Sequence, residues 1–146
     1  MYGAYSYCSN LTGSPVCGNN VSHLGFAYRN CSKLTGSPAC GSNVTNMYCA
    51  YENCPNLYGD MFVYSNKVSN ATDCFIGRNT SKILNLYVPA SSTTLTTCLN
   101  TSDPTSLTGT NITWTNDTAN NRYYNTTYNI YIYPVANVEQ TYKNKI

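Results

Sequence analysis

The stretch LTGSPVCGNNVSHLGFAYRNC (Leu11 to Cys31) returns 23 residues later as LTGSPACGSNVTNMYCAYENC (Leu34 to Cys54), identical at 13 of 21 positions. A tandem copy of this length constrains the fold more than any single motif. A unit of roughly 23 residues cannot bury its own apolar face, so neighbours must stack. Written out at that period, Ala4-Tyr5, Ala27-Tyr28 and Ala50-Tyr51 share one column; Cys8, Cys31 and Cys54 share a second; Leu11, Leu34 and Leu57 share a third. Val21 and Val44 form a fourth, which Val68 continues after one inserted residue. With that offset Cys74-Phe75 falls under Ala50-Tyr51, and Arg78 stands where a cysteine is due.

The columns predict an inward-facing repeat core of Leu11, Leu34, Leu57, Val21, Val44, Val68, Ala27, Ala50, Tyr28, Tyr51, Cys31 and Cys54, with the variable positions between them facing solvent. Pro15 and Pro38 cannot donate to a ladder and mark strand ends or edges. "CGNN" and "CGSN" supply turn chemistry. Each unit therefore reads as a short extended segment near "LTGSP", a turn, and a helical or 3-10 turn around "VTNMYCAYENC".

The stacked units span 1–89. From 90 to 146 the chain reads as a Ser/Thr-rich segment with one short helix, then a β-hairpin cap around "NITWTNDTANNRYYN", the strand "YNIYIYP" and a flexible tail "VANVEQTYKNKI". Trp114, Tyr124, Ile130 and Ile132 are positioned to close the last unit. Met1 aligns with Leu24 and Met47, so the chain opens within a repeat. Either it is the C-terminal part of a longer array, or its open N-terminal edge is covered by another subunit.

Only 10% of residues are charged, against 21 Asn, 19 Thr and 14 Ser. The net charge of +2 is thinly spread, with Lys143 and Lys145 as its one cluster, which argues against a nucleic-acid partner. No apolar run reaches the roughly 20 residues that span a bilayer, and "MYGAYSYCSN" has none of the features of a signal peptide.

Eight cysteines suggest a disulfide framework, but five of them hold repeat columns where reduced, buried thiols are equally at home. Column neighbours about 5 Å apart leave a bridge such as Cys17 to Cys40 sterically open. Cys49 and Cys98 stand outside the columns. His23 exchanges with Asn46, which suggests a capping or exposed role. With one histidine and no close carboxylate pair, no catalytic, metal or cofactor site is expected.

The segment NVTNMYCAYENCPNL (Asn43 to Leu57) resembles BspA-like leucine-rich-repeat surface proteins. Their units recur about every 23 to 25 residues around "VTNM", an Ala-Phe or Met-Phe pair, a cysteine and then a leucine. The likeness runs from Met1 to about Pro89. It departs in having tyrosine in the aromatic column and "TGSP" in place of the usual strand. The resemblance implies a repeat solenoid of leucine-rich-repeat type, displayed on bacterial surfaces or encoded by phage and used for adhesion. It transfers no catalytic residue.

The expected function is a non-enzymatic, surface-displayed module that presents a Tyr/Asn/Thr-rich face, including Tyr2, Tyr48 and Tyr58, to a protein or glycan. The rival is a structural part of a virion such as a phage tail, or of a surface assembly, with subunit contacts through the open N-terminal edge. Both place the chain outside the cell or on a virion.

Overall fold

The computed structural model describes residues 1–35, 39–92 and 114–145. The short helix and loop expected within 93–113, with Cys98, lie outside these residues. Six strands form one sheet: β1 (Ala39–Cys40), β2 (Gly59–Val63), β3 (Leu84–Pro89), β4 (Thr115–Asp117), β5 (Arg122–Asn125) and β6 (Ile130–Val135). Their order is β1-β2-β3-β6-β5-β4. The pairs β1–β2, β2–β3 and β3–β6 are parallel, whereas β6–β5 and β5–β4 are antiparallel. One helix, α1 (Val138–Lys145), packs on the sheet, and a 3-10 turn at Thr118–Asn120 links β4 to β5.

Among the described residues, this small mixed sheet with a single short helix overturns the expected leucine-rich-repeat solenoid with helical or 3-10 turns. The backbone of the "LGFAYRNC" segment shows why. The amides of Leu24, Phe26, Tyr28 and Asn30 donate across to the carbonyls of Asn46, Tyr48, Ala50 and Glu52 at 2.8–3.0 Å. The intervening amides of Ala27, Arg29 and Cys31 close local turns on the carbonyls three residues back. A helix needs every amide for its own axis, and here every second one goes to the next unit.

Left-handed residues recur four apart in each unit: Gly3 and Tyr7, Phe26 and Asn30, Cys49 and Asn53, Asp73 and Gly77. A right-handed helix cannot pass through such positions.

The 23-residue spacing persists as direct contact. Tyr5, Tyr28, Tyr51 and Phe75 stack in series with centroids 5.4, 5.4 and 5.7 Å apart. Each such pair adds about 0.5–1.5 kcal/mol beyond the area it buries. Leu34, Leu57, Val44, Val68, Ala27, Ala50, Tyr28, Tyr51, Cys31 and Cys54 are all buried in one core with Met61, Leu84, Leu86, Ile130 and Ile132. Leu11 and Val21 were expected in that core but are only half-buried against it. Among the described residues nothing lies on the outer side of their unit.

The sheet's second face carries Phe62, Tyr87 and Tyr133 in a stack at 5.2 and 5.0 Å. The segment expected as a flexible tail is α1, which covers this face. Asn137 Oδ1 accepts the Gln140 amide at 2.9 Å, a helix N-cap. Val138 is buried, and Tyr142 meets Phe62 edge-on at 5.0 Å. The Asp60–Lys145 ion pair ties the helix to β2, and Glu139–Lys143 pairs within the helix, so the basic cluster is consumed. Among the described residues no helix is long and apolar enough to cross a membrane.

The close spacing of units makes one glycine decisive. A Cβ on Gly41 would stand 2.5 Å from the Gly18 carbonyl oxygen, which is backbone and has no rotamer to escape into. Gly41→Ala should therefore lower stability by about 1–3 kcal/mol in urea unfolding. Gly18→Ala, whose Cβ meets open space, is the matched control and should unfold like the parent.

Candidate functional site

The column of His23, Asn46 and Asn70 sets the geometry of one exposed face. Each residue's side chain accepts the amide two residues on: Gly25 to His23 Nδ1 at 3.2 Å, Tyr48 to Asn46 Oδ1 at 2.9 Å, Thr72 to Asn70 Oδ1 at 3.0 Å. Imidazole and amide thus serve one local turn, and parallel bridges join the three residues across the units. The turn sends the next residue, Leu24, Met47 or Ala71, into the core, and leaves Tyr48 and Thr72, two residues on, half-buried at the rim.

There Tyr2, Gly25 and Tyr48 fall in one column, 23 residues apart. Gly25 leaves the gap that the Tyr2 ring fills; a Cβ on it would lie 3.0 Å from Tyr2 Cδ2. Tyr2 meets His23 and Phe26 edge-on, each at 5.5 Å, and Phe26 meets Tyr48 edge-on at 5.1 Å. The result is an aromatic strip across three repeat units, Tyr2–Phe26–Tyr48, with His23 beside it. Tyr2 is 66% exposed and Tyr48 half-buried.

Arg29 extends the strip. Its guanidinium lies 5.3 Å from the Phe26 centroid and 5.8 Å from that of Tyr7, and its Nε is 3.0 Å from Glu52 Oε2. Arg29 and Glu52 share a repeat column, so the sequence exchange of charge seen there is an ion pair between neighbouring units. Tyr7 is 67% exposed. Burial pushes the Asp73 carboxyl up, with Glu52 adding to the shift, and a hydrogen bond with Cys49 raises the Tyr48 hydroxyl.

No family model, curated protein or solved structure matches the chain. The candidate site therefore rests on its own geometry.

Of the three tyrosines expected on a ligand surface, the strip brings Tyr2 and Tyr48 together. Tyr58 does not join them; it is 41% exposed and packs under the Lys82 ammonium at 4.3 Å. Phe26, His23, Arg29 and Tyr7 are members that the sequence reading missed. The signal for them was the lone glycine between two tyrosines in one column, a gap that only a neighbouring ring can fill.

A second concavity of about 580 Å³ lies between α1 and the ends of the repeat units, lined by Asn19, Asn66, Asn137, Tyr64 and Tyr142. Its charged members Glu139 and Lys143 neutralise each other at 2.9 Å. Among the described residues no group of three or more His, Cys, Asp or Glu side chains converges to hold a metal.

Proposed function

We propose that this chain is a non-enzymatic binding module, displayed at a cell surface or on a virion, whose recognition surface is the Tyr2–Phe26–Tyr48 strip. The observation that carries this reading is a row of rings held edge to edge, with Tyr2 two-thirds exposed. Rigid aromatic side chains give large contact area at small entropic cost, and exposed rings set on a fixed backbone suit stacking against a glycan or a protein side chain. The charges flanking the strip, Arg29 and Glu52, are paired with each other. Recognition therefore proceeds through rings and neutral hydrogen bonds.

Labelled protein on an array of neutral glycans tests this reading. Binding is expected to change little between low and high salt. Tyr2→Ala and Tyr48→Ala should each weaken it about tenfold, a change of ~1.4 kcal/mol, with the circular dichroism spectrum unchanged. Asn66→Ala, in the other concavity, should leave it intact. Binding that collapses with salt, or that survives loss of both tyrosines, contradicts the reading.

The structural alternative has one observation in its favour. The Tyr5 ring that ends the stacked series is 42% exposed, beside half-buried Met1, Leu11 and Val21. A fixed oligomer in sedimentation, with no retention on the array, selects that alternative.

A further inference from the structure

Cys17 and Cys40 lie side by side. Val16 pairs with Ala39 in parallel register, so the next residues on each segment are direct neighbours. Adjacent strands lie about 4.8 Å apart, inside the Cα separation that a disulfide spans. Both side chains face the core, Cys17 at 5% exposure and Cys40 at 0%. Their surroundings differ. The Gly41 amide donates to Cys17 Sγ at 3.0 Å, an arrangement that favours a thiolate. Cys40 Sγ lies 3.4 Å from the Tyr51 hydroxyl and is fully enclosed. Cys17 sits on the outermost unit, flanked by exposed Gly18 and by Val16 at 65% exposure.

We propose that Cys17 and Cys40 are an oxidisable dithiol that exchanges with a low-molecular-weight disulfide of the glutathione class, Cys17 attacking and Cys40 resolving. The Cys17 thiolate displaces one thiolate from the oxidant and forms a mixed disulfide. Cys40 then attacks Cys17 Sγ, its proton passes to the departing thiolate, and the second small thiol leaves. Two protein thiols and one small disulfide become one protein disulfide and two small thiols.

The ionisation pattern agrees with these roles. The hydrogen bond from Cys40 is the largest influence bringing Cys17 down to about 7, opposed by burial and helped by the Gly41 amide. Cys40 is held well above the ordinary thiol range. The titratable groups facing Cys17 are Cys40, the hydroxyls of Tyr28 and Tyr51, and the Met1 ammonium.

The experiment uses the whole chain in a Cys8→Ser background, because Cys8 is an exposed free thiol. The protein is incubated with oxidised glutathione, trapped by alkylation in acid and mapped by peptide mass spectrometry. The expected product is a Cys17–Cys40 cross-linked peptide, lighter by two hydrogens and free of glutathione. Its rate of formation should reach half its plateau near pH 7 instead of the pH of about 8.5 typical of an unperturbed thiol. Cys40→Ser should stop at a stable glutathione adduct on Cys17. The proposal is overturned if both cysteines are recovered alkylated in the unsubstituted pair, or if Cys40→Ser yields no adduct at Cys17. The first comparison needs no change at either cysteine, so a folding defect in a variant leaves the test intact.

Discussion

Stability should fall steeply above pH 9, by several kcal/mol at pH 11. The core columns hold their thiols neutral: burial pushes Cys54 from the ordinary 9.0 up to about 12 and Cys49 up to about 11. Cys74 is raised as well, again by burial first. For an acid whose folded pKa lies above its unfolded one, the unfolded chain releases its proton first. Stability is therefore intact below pH 9 and drains away as pH climbs toward the folded value.

At pH 11 Cys49 and Cys54 have each been carried two units past 9.0, which is roughly 2.7 kcal/mol apiece and ~5 kcal/mol together. A domain of this kind has about 5–15 kcal/mol in total. Two groups act in the other direction and do not rescue it. Cys17, lowered to about 7, contributes stability that is complete above pH 9 and disappears as pH falls through 7. Burial lowers Arg78 as well, but four backbone carbonyls hold its guanidinium in the charged form, so it returns little by pH 11.

Urea unfolding at successive pH values measures the slope. Cys54→Ala should flatten it between pH 9 and 11, even though losing the Cys54 Sγ–H bond to the Tyr28 carbonyl at 2.9 Å lowers stability at neutral pH. A free energy of unfolding that stays level from pH 8 to 11 would show that these thiols are not buried as described.

What the sequence made legible was the translation and not the path. Identical residues 23 apart placed Tyr28 over Tyr51 and Leu34 over Leu57, because the same side chain in the same column meets the same environment wherever a neighbouring unit covers it. How the chain travels between columns was misread. A helical or 3-10 turn at "VTNMYCAYENC" fails because its amides alternate between its own turns and the neighbouring unit. That pattern is tertiary, and no local propensity encodes it. One trace was present in the column Tyr7, Asn30, Asn53, Gly77, where the last three are residue types that tolerate left-handed backbone. The companion column of Gly3, Phe26, Cys49 and Asp73 concealed it, since Phe and Cys take that conformation only where packing compels them.

The same limit applies to the site. The exposure of Tyr2 follows from its lying between core columns, but its edge-on contact with Phe26 depends on a turn held by the side chain of His23. The helix at Val138–Lys145 was missed for a similar reason. Its polar sequence buries only Val138, and its place is decided by Phe62, Asp60 and Tyr87 on the sheet beneath.

Arg78→Ala is expected to be the most damaging single substitution, at about 3–5 kcal/mol. Arg78 occupies the column of Cys8, Cys31 and Cys54, but where Cys31 and Cys54 reach the carbonyls of Tyr5 and Tyr28 in the preceding unit, the guanidinium reaches forward. It is 7% exposed. One terminal nitrogen donates to the carbonyls of Asn79 at 3.2 Å and Lys82 at 2.6 Å; the other donates to those of Tyr128 and Asn129, fifty residues on. It thus fastens the last repeat unit to the turn between β5 and β6, and so to the antiparallel half of the sheet. Truncation removes four charge-assisted hydrogen bonds at once and enlarges the hollow between Phe75, Tyr128 and Ile130.

Arg78→Cys restores the column residue yet should recover little, since a thiol cannot span to Tyr128. Arg78→Lys keeps the charge without the planar fork and should fall between Arg78→Cys and the parent. Urea unfolding ranks the three variants, and hydrogen exchange should show the β5–β6 turn losing protection before β2 and β3. A free energy for Arg78→Ala within about 1 kcal/mol of the parent would mean that solvent replaces those bonds without loss, and that the β3–β6 pairing and the core around it suffice to join the two halves of the sheet.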